Sequence, residues 1–161
     1  MSHSAHDDSR DEESSTAFND ETAGSGREKA GKIETDGGYL HGKVTKSVID
    51  AFYASYNKLD YGFLENVYCG ALVLELRRRG HSVAREVLIP VFYDGVQVAR
   101  YKADFIVDEV VLVEVKSTEF LNRNDTRQLQ NYLRATKLEV GLLLHYGPDP
   151  KVYRLSAPNR H

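Results

Sequence analysis

One cysteine, Cys69, stands in a chain of 161 residues, which excludes an intramolecular disulfide framework and fits a reducing compartment. No apolar run approaches the roughly 18 residues that cross a bilayer, so no membrane span is expected. The N-terminus lacks a basic segment followed by an apolar one, and its acidity argues against a transit peptide. Large apolar side chains are scarce there too: between His3 and Asp36 only Phe18 and Ile33 interrupt a run of small and charged residues. Such a segment cannot bury enough surface to offset its ordering entropy, so residues 1–38 read as a disordered acidic tail. The remainder, residues 39–161, is sized for one domain in a soluble, cytoplasmic protein.

Charge divides at the same boundary. Residues 1–38 hold ten Asp and Glu against four Lys and Arg, leaving fourteen against seventeen, a net charge of +3, for residues 39–161; the whole-chain value of −3 hides this. A mildly basic domain is compatible with a polyanionic partner.

Val44, Val48, Phe52 and Tyr56 recur every four residues and predict an amphipathic helix ending near Asn57. A second helical pattern begins at Phe63, turns Leu64, Tyr68, Ala71, Leu72 and Leu76 inward, and stops at Arg77-Arg78-Arg79-Gly80. The period then becomes two. Val83, Val87, Ile89 and Val91 alternate up to Tyr93-Asp94-Gly95-Val96, a tight-hairpin signature. Strands follow over 98–107 and 110–116. Asn124-Asp125 suits a helix cap, with Leu129, Tyr132 and Leu133 inward, and strands over 140–145 and 151–156 close the chain. The order predicts an α/β fold with a central mixed sheet flanked by helices.

The two middle strands carry charges within the most apolar part of the sequence. A two-residue loop at Asp108-Glu109 would set Asp104 among Val111, Val113 and Val115, a costly burial of an unpaired carboxylate. Pairing Val107 with Val111 instead gathers Ala103, Phe105, Val107, Val111, Val113 and Val115 on one face. Lys102, Asp104, Ile106, Leu112, Glu114 and Lys116 then share the other, and the hydrophobic pattern selects this register. Asp104 and Glu114 become cross-strand neighbours, roughly 5 Å apart at their roots. Two carboxylates so close need a cation or a proton between them, and hard oxygen ligands suit Mg²⁺ or Mn²⁺. The plain alternative is a solvent-facing stripe with an ordinary Glu114–Lys116 ion pair.

An Asp in one strand, Glu114-Val115-Lys116 in the next and a glutamine-bearing helix after it resemble the PD-(D/E)xK nuclease superfamily. Gly62-Phe-Leu-Glu65-Asn-Val-Tyr68 further resembles the G-x-x-E-x-x-Y signature of a family of small proteins within it. Gln128-Leu-Gln-Asn-Tyr132-Leu and Gly141-Leu-Leu-Leu are similar to that family's helix and returning strand. The sequence departs from the pattern at Lys102-Ala103-Asp104, where the naming proline is missing. The resemblance implies a restriction-endonuclease-like core and Mg²⁺- or Mn²⁺-dependent hydrolysis of DNA or RNA phosphodiester bonds. It implies that Asp104, Glu114, the Val115 carbonyl and Glu65 form the metal site. Lys116 would position or help deprotonate the attacking water and stabilise the transition state. Gln128, favoured over Gln130 because it lies one turn before Tyr132, would orient water or hold the backbone together with Tyr132, and Lys102 would contact substrate. The rival is a catalytically inactive scaffold that binds nucleic acid or a protein; action as a homodimer or within a larger complex is a third reading. Tyr68 and Cys69 read as core, His81 and His145 as structural, and Arg77 to Arg79 as a solvated helix end.

Overall fold

The structure, a computed structural model, describes residues 35–36 and 39–157. Most of the tail expected over residues 1–38 lies outside these. Thr35–Asp36 (β1) and Tyr39–Leu40 (β2) pair as a two-residue ladder. Then come the helices Gly42–Leu59 (α1) and Glu65–Arg78 (α2), the strands Val83–Tyr93 (β3), Val96–Val107 (β4) and Val111–Lys116 (β5), and the helix Arg123–Ala135 (α3). The strands Val140–His145 (β6) and Lys151–Ser156 (β7) complete the order. Five strands form one sheet in the order β3-β4-β5-β6-β7. Only β5 and β6 are parallel neighbours, and α3 supplies the crossover that a parallel pair requires. The sheet is therefore mixed and flanked by helices, as the element order predicts.

The two faces bury different helices. Phe105, Val107, Val111, Val113, Val115, Leu142 and Leu144 pack with Phe52, Tyr68, Leu72 and Leu76 of α1 and α2. Leu112 and Leu143, of opposite parity, pack with Leu129, Tyr132 and Leu133 of α3. Both central strands thus read as continuous apolar runs because both of their faces are covered. At Gly141 an added Cβ would come within 2.9 Å of Leu129, so glycine lets α3 sit close on β6.

Register follows the hydrophobic pattern, with Val107 opposite Val111 and Phe105 opposite Val113. The Asp94-Gly95 turn joins Tyr93 to Val96. Three expectations need correction. Ala103 packs on the α3 face with Ile89, whereas Phe105 packs on the other. Two residues apart in a regular strand they would share a face, so β4 changes face at Asp104. Its cross-strand region holds Glu86 at φ 49, a left-handed backbone that regular strands do not contain. Leu64 faces outward at 77% exposure, because α2 starts after it. The cap of α3 is Asn122, which forms a reciprocal capping box with Asp125. Among the described residues no helix is long and apolar enough to cross a membrane.

Candidate active site

The site begins where β4 parts from β5. The ladder runs to Phe105↔Val113, and beyond it the Asp104 carboxylate takes the place of a backbone acceptor, receiving the Val115 amide at 2.8 Å. Asp104 is thereby held by main chain rather than left to a rotamer. On the opposite edge Lys116 O accepts from Tyr146 N. Successive residues of a strand point their N–H and C=O groups to alternate edges, so the Val115 carbonyl lies on the Asp104 side.

Glu114 is 3% exposed. Its Oε1 lies 3.3 Å from Lys116 Nζ, while Oε2 is buried with no hydrogen-bond partner. Burial first, then the neighbouring Asp104 charge, push its carboxyl up to about 7, against the opposing pull of Lys116. Asp104 is raised as well, again chiefly by burial, with the Val115 hydrogen bond and Lys116 opposing. Burial lowers the Lys116 amine, but Glu114, Glu65 and Asp125 outweigh it and leave the amine above its ordinary value. Lys116 is therefore a cation at neutral pH.

Glu65, the first residue of α2, is placed by the loop that leads into it from α1. Gly62 has φ 125, a backbone conformation that a side chain would strain. The Tyr68 hydroxyl donates to Asp60 O and accepts from Phe63 N, while its ring stacks on Tyr146 with centroids 4.3 Å apart. Glycine turns the loop, tyrosine ties it down, and Glu65 opens α2 facing the sheet. Its carboxyl is raised by burial and by Asp104, with Lys116 and a Ser117 backbone hydrogen bond opposing. Tyr68 is accordingly core.

From α3, Gln128 Nε2 donates to the Tyr132 hydroxyl, so these two expected residues act as one unit. The Tyr132 hydroxyl is raised by burial, with the Gln128 hydrogen bond opposing and the Glu114 charge adding to the rise. Both line a groove of about 390 Å³ with Tyr101, Asn124, Arg127 and Asn131. Lys102 stands apart, exposed and paired with Glu86 at 3.1 Å, although its charge is felt at Asp104. Glu65, Asp104, Glu114 and Lys116 are therefore electrostatically joined, Gln128 and Tyr132 border them, and Lys102 lies at the margin.

Two contributors, Ser117 and Asp125, carry no site signal in the sequence, and His145 has the structural role expected of it. Ser117 reaches back to Phe63 O at 3.3 Å, and Asp125 adds negative charge near Lys116. His145, opposite Lys116 in the β5–β6 ladder, donates from Nε2 to Thr118 O at 2.7 Å and braces the chain leaving β5. Ser117 lies in the loop after β5, and Asp125 shows in the sequence only through its capping-box spacing from Asn122, so neither is marked as a site residue.

Among the described residues no group of three His, Cys, Asp or Glu side chains is set to hold a metal ion. The donors that do gather fit a hard cation: the carboxylates of Asp104 and of Glu114, whose Oε2 is unsatisfied, and the Val115 carbonyl, with water and phosphate left to complete the shell as Mg²⁺ permits.

The model of the PD-(D/E)XK nuclease superfamily matches residues 42–155. No curated protein matches the chain. Among solved structures, the crystal structure of SSO0001 is similar, with 20% identity over 73% of this chain and 62% of that one and a TM-score of 0.49. This chain thus spans less than two thirds of that protein's length. From the first residue of α1 into β7 the family match encloses every site residue discussed above, and the chain belongs to the PD-(D/E)XK nuclease superfamily.

Proposed function

We propose that the protein hydrolyses phosphodiester bonds of nucleic acid with Mg²⁺ or Mn²⁺ at this site, in a domain comprising residues 39–161. Superfamily membership supports the reaction class. The observation that carries the reading is Glu114 Oε2, a buried carboxylate oxygen without a partner beside a second carboxylate and a lysine. An unpaired buried acceptor is costly in a merely structural position. Asp104, Glu114 and the Val115 carbonyl would hold the ion, with Glu65 orienting or completing its shell. When bound, the ion supplies Lewis acidity at the phosphate and lowers the pKa of the attacking water. Lys116, protonated, donates to the developing negative charge on phosphorus-bound oxygen; its raised pKa argues for this role over proton abstraction. Gln128 and Tyr132 fix water or backbone phosphate at the groove. Water adds to phosphorus as the bond to the departing sugar oxygen breaks, and that oxygen leaves with a proton.

The Gly62-x-x-Glu65-x-x-Tyr68 signature supports placement among the GxxExxY proteins, since its glycine and tyrosine have the loop-building roles described above. The test is a panel of labelled DNA and RNA substrates with Mg²⁺, Mn²⁺ or chelator. Cleavage is expected only with an ion, and Glu114→Gln and Lys116→Ala should each reduce it by on the order of 100-fold or more with the fold intact. Cleavage that survives both substitutions overturns the assignment. Absence of cleavage on every substrate, with no ion bound in calorimetry, favours the inactive scaffold.

A further inference from the structure

We infer that the outward face of α2 is a self-association surface, packing against the same face of a second copy with the two helices antiparallel. The helix turns Tyr68, Leu72 and Leu76 into the core, yet its opposite side is also apolar. Leu64, Val67, Ala71 and Leu74 are spaced three, four and three residues apart, the interval of a helix-packing seam. Leu64, Val67 and Leu74 are 77%, 37% and 49% exposed. From Asn66 to Leu74 the sequence holds no charged residue, whereas a solvent-facing helix side ordinarily carries charge. Gly70, on the same outward side, has nothing within 4 Å of an added Cβ, so a second helix can approach closely there. Tyr61 and Phe63, 41% and 48% exposed, extend the patch past the N-terminus of α2.

Charge selects both occupant and orientation. Asp60 stands at the N-terminal end of the seam, Arg77 and Arg78 at the C-terminal end. A two-fold axis near the seam's middle brings Leu64 against Leu74 of the partner and sets Arg77 against the partner's Asp60 end. It also opposes the helix dipoles. A parallel arrangement would join like charges at both ends. This self-complementarity is what an isologous interface requires, and it identifies a second copy of the chain rather than an unrelated partner. Neither the surface nor its test depends on cleavage activity.

Sedimentation equilibrium of the full chain should show a mass approaching twice 18.2 kDa as concentration rises. Leu74→Glu and Val67→Lys should each weaken the dimer by about tenfold or more, with unchanged far-ultraviolet circular dichroism. Orientation is read by cross-linking. A mixture of Leu64→Cys and Leu74→Cys proteins should form a disulfide-linked dimer under mild oxidation, while either alone should not. Cys69 does not interfere, since it is buried and its thiol is pushed up to about 12. The proposal is overturned by a monomer at every soluble concentration, or by self-cross-linking of Leu64→Cys. A dimer indifferent to both seam substitutions also overturns it and moves the contact elsewhere, such as the exposed Phe92–Tyr93 hairpin tip.

Discussion

Glu114 carries a cost in stability that its surroundings impose. Its carboxyl ordinarily titrates near 4.5 and is raised to about 7 in the fold, by burial first and by Asp104 second. Between those values the folded protein keeps a proton that the unfolded chain has released, so the folded state binds more protons and loses stability as pH rises through the window. At about 1.4 kcal/mol for each pH unit, the loss above pH 7 is on the order of 3 kcal/mol. Urea unfolding of the metal-free protein should therefore show Glu114→Gln matching the parent near pH 4.5 and exceeding it at pH 8. Parallel stability profiles for the two proteins would remove Glu114 as the source. Such a residue is destabilising at neutral pH unless a cation takes the place of the proton, which is why an orphaned oxygen on it carries functional weight.

At the scale of elements, the loop from Asp60 to Leu64 converts a sequence signature into geometry. Tyr68→Phe keeps the ring stacked on Tyr146 but removes the hydroxyl that bridges Asp60 O and Phe63 N. The expected cost is about 1 to 2 kcal/mol in stability, with a larger fractional fall in kcat than the stability loss explains, because Glu65 is no longer fixed. If kcat holds while the melting temperature drops, the loop is structural alone. The elements themselves were legible: Asp94-Gly95 marks a hairpin, and only one register sets Phe105 and Val107, rather than Asp104, on the face of Val111, Val113 and Val115. What escaped was irregular or relational. Parity put Ala103 beside Phe105, but the strand breaks its alternation at Asp104, and no residue pattern announces that. Leu64 was turned inward because α2 is apolar on two sides, so periodicity alone could not say which belonged to the core. The chain of Ser47, His81 and Asp108, linked at 2.7 and 2.6 Å, joins α1 to the β4–β5 turn across 34 and 27 residues of sequence. Two histidine contacts of that kind have no local signature, although they pin a turn whose Asp108 and Glu109 both have positive φ and whose length sets the Asp104–Glu114 register.

For the molecule as a whole, the distribution of charge matters more than its total. Residues 1–34 contain nine Asp and Glu against four Lys and Arg, so the rest of the chain carries fifteen acidic and seventeen basic residues, a net charge of +2 within a protein whose total is −3. A polyanion approaching the Gln128–Tyr132 groove, which includes Arg127, meets attraction from the net charge of residues 35–161 and repulsion from that of residues 1–34. Deleting residues 1–34 in a Glu114→Gln background, where cleavage does not deplete the probe, should tighten binding of labelled nucleic acid by roughly threefold to tenfold at low ionic strength. The gap should close as salt rises and the Debye length shrinks. Fluorescence anisotropy across a salt series reads both quantities at once. Equal affinities at low salt would mean that the acidic residues do not act on the substrate's path. A gap that persists at high salt would indicate direct contact rather than charge. The salt dependence thus separates a long-range electrostatic effect from an occupied groove.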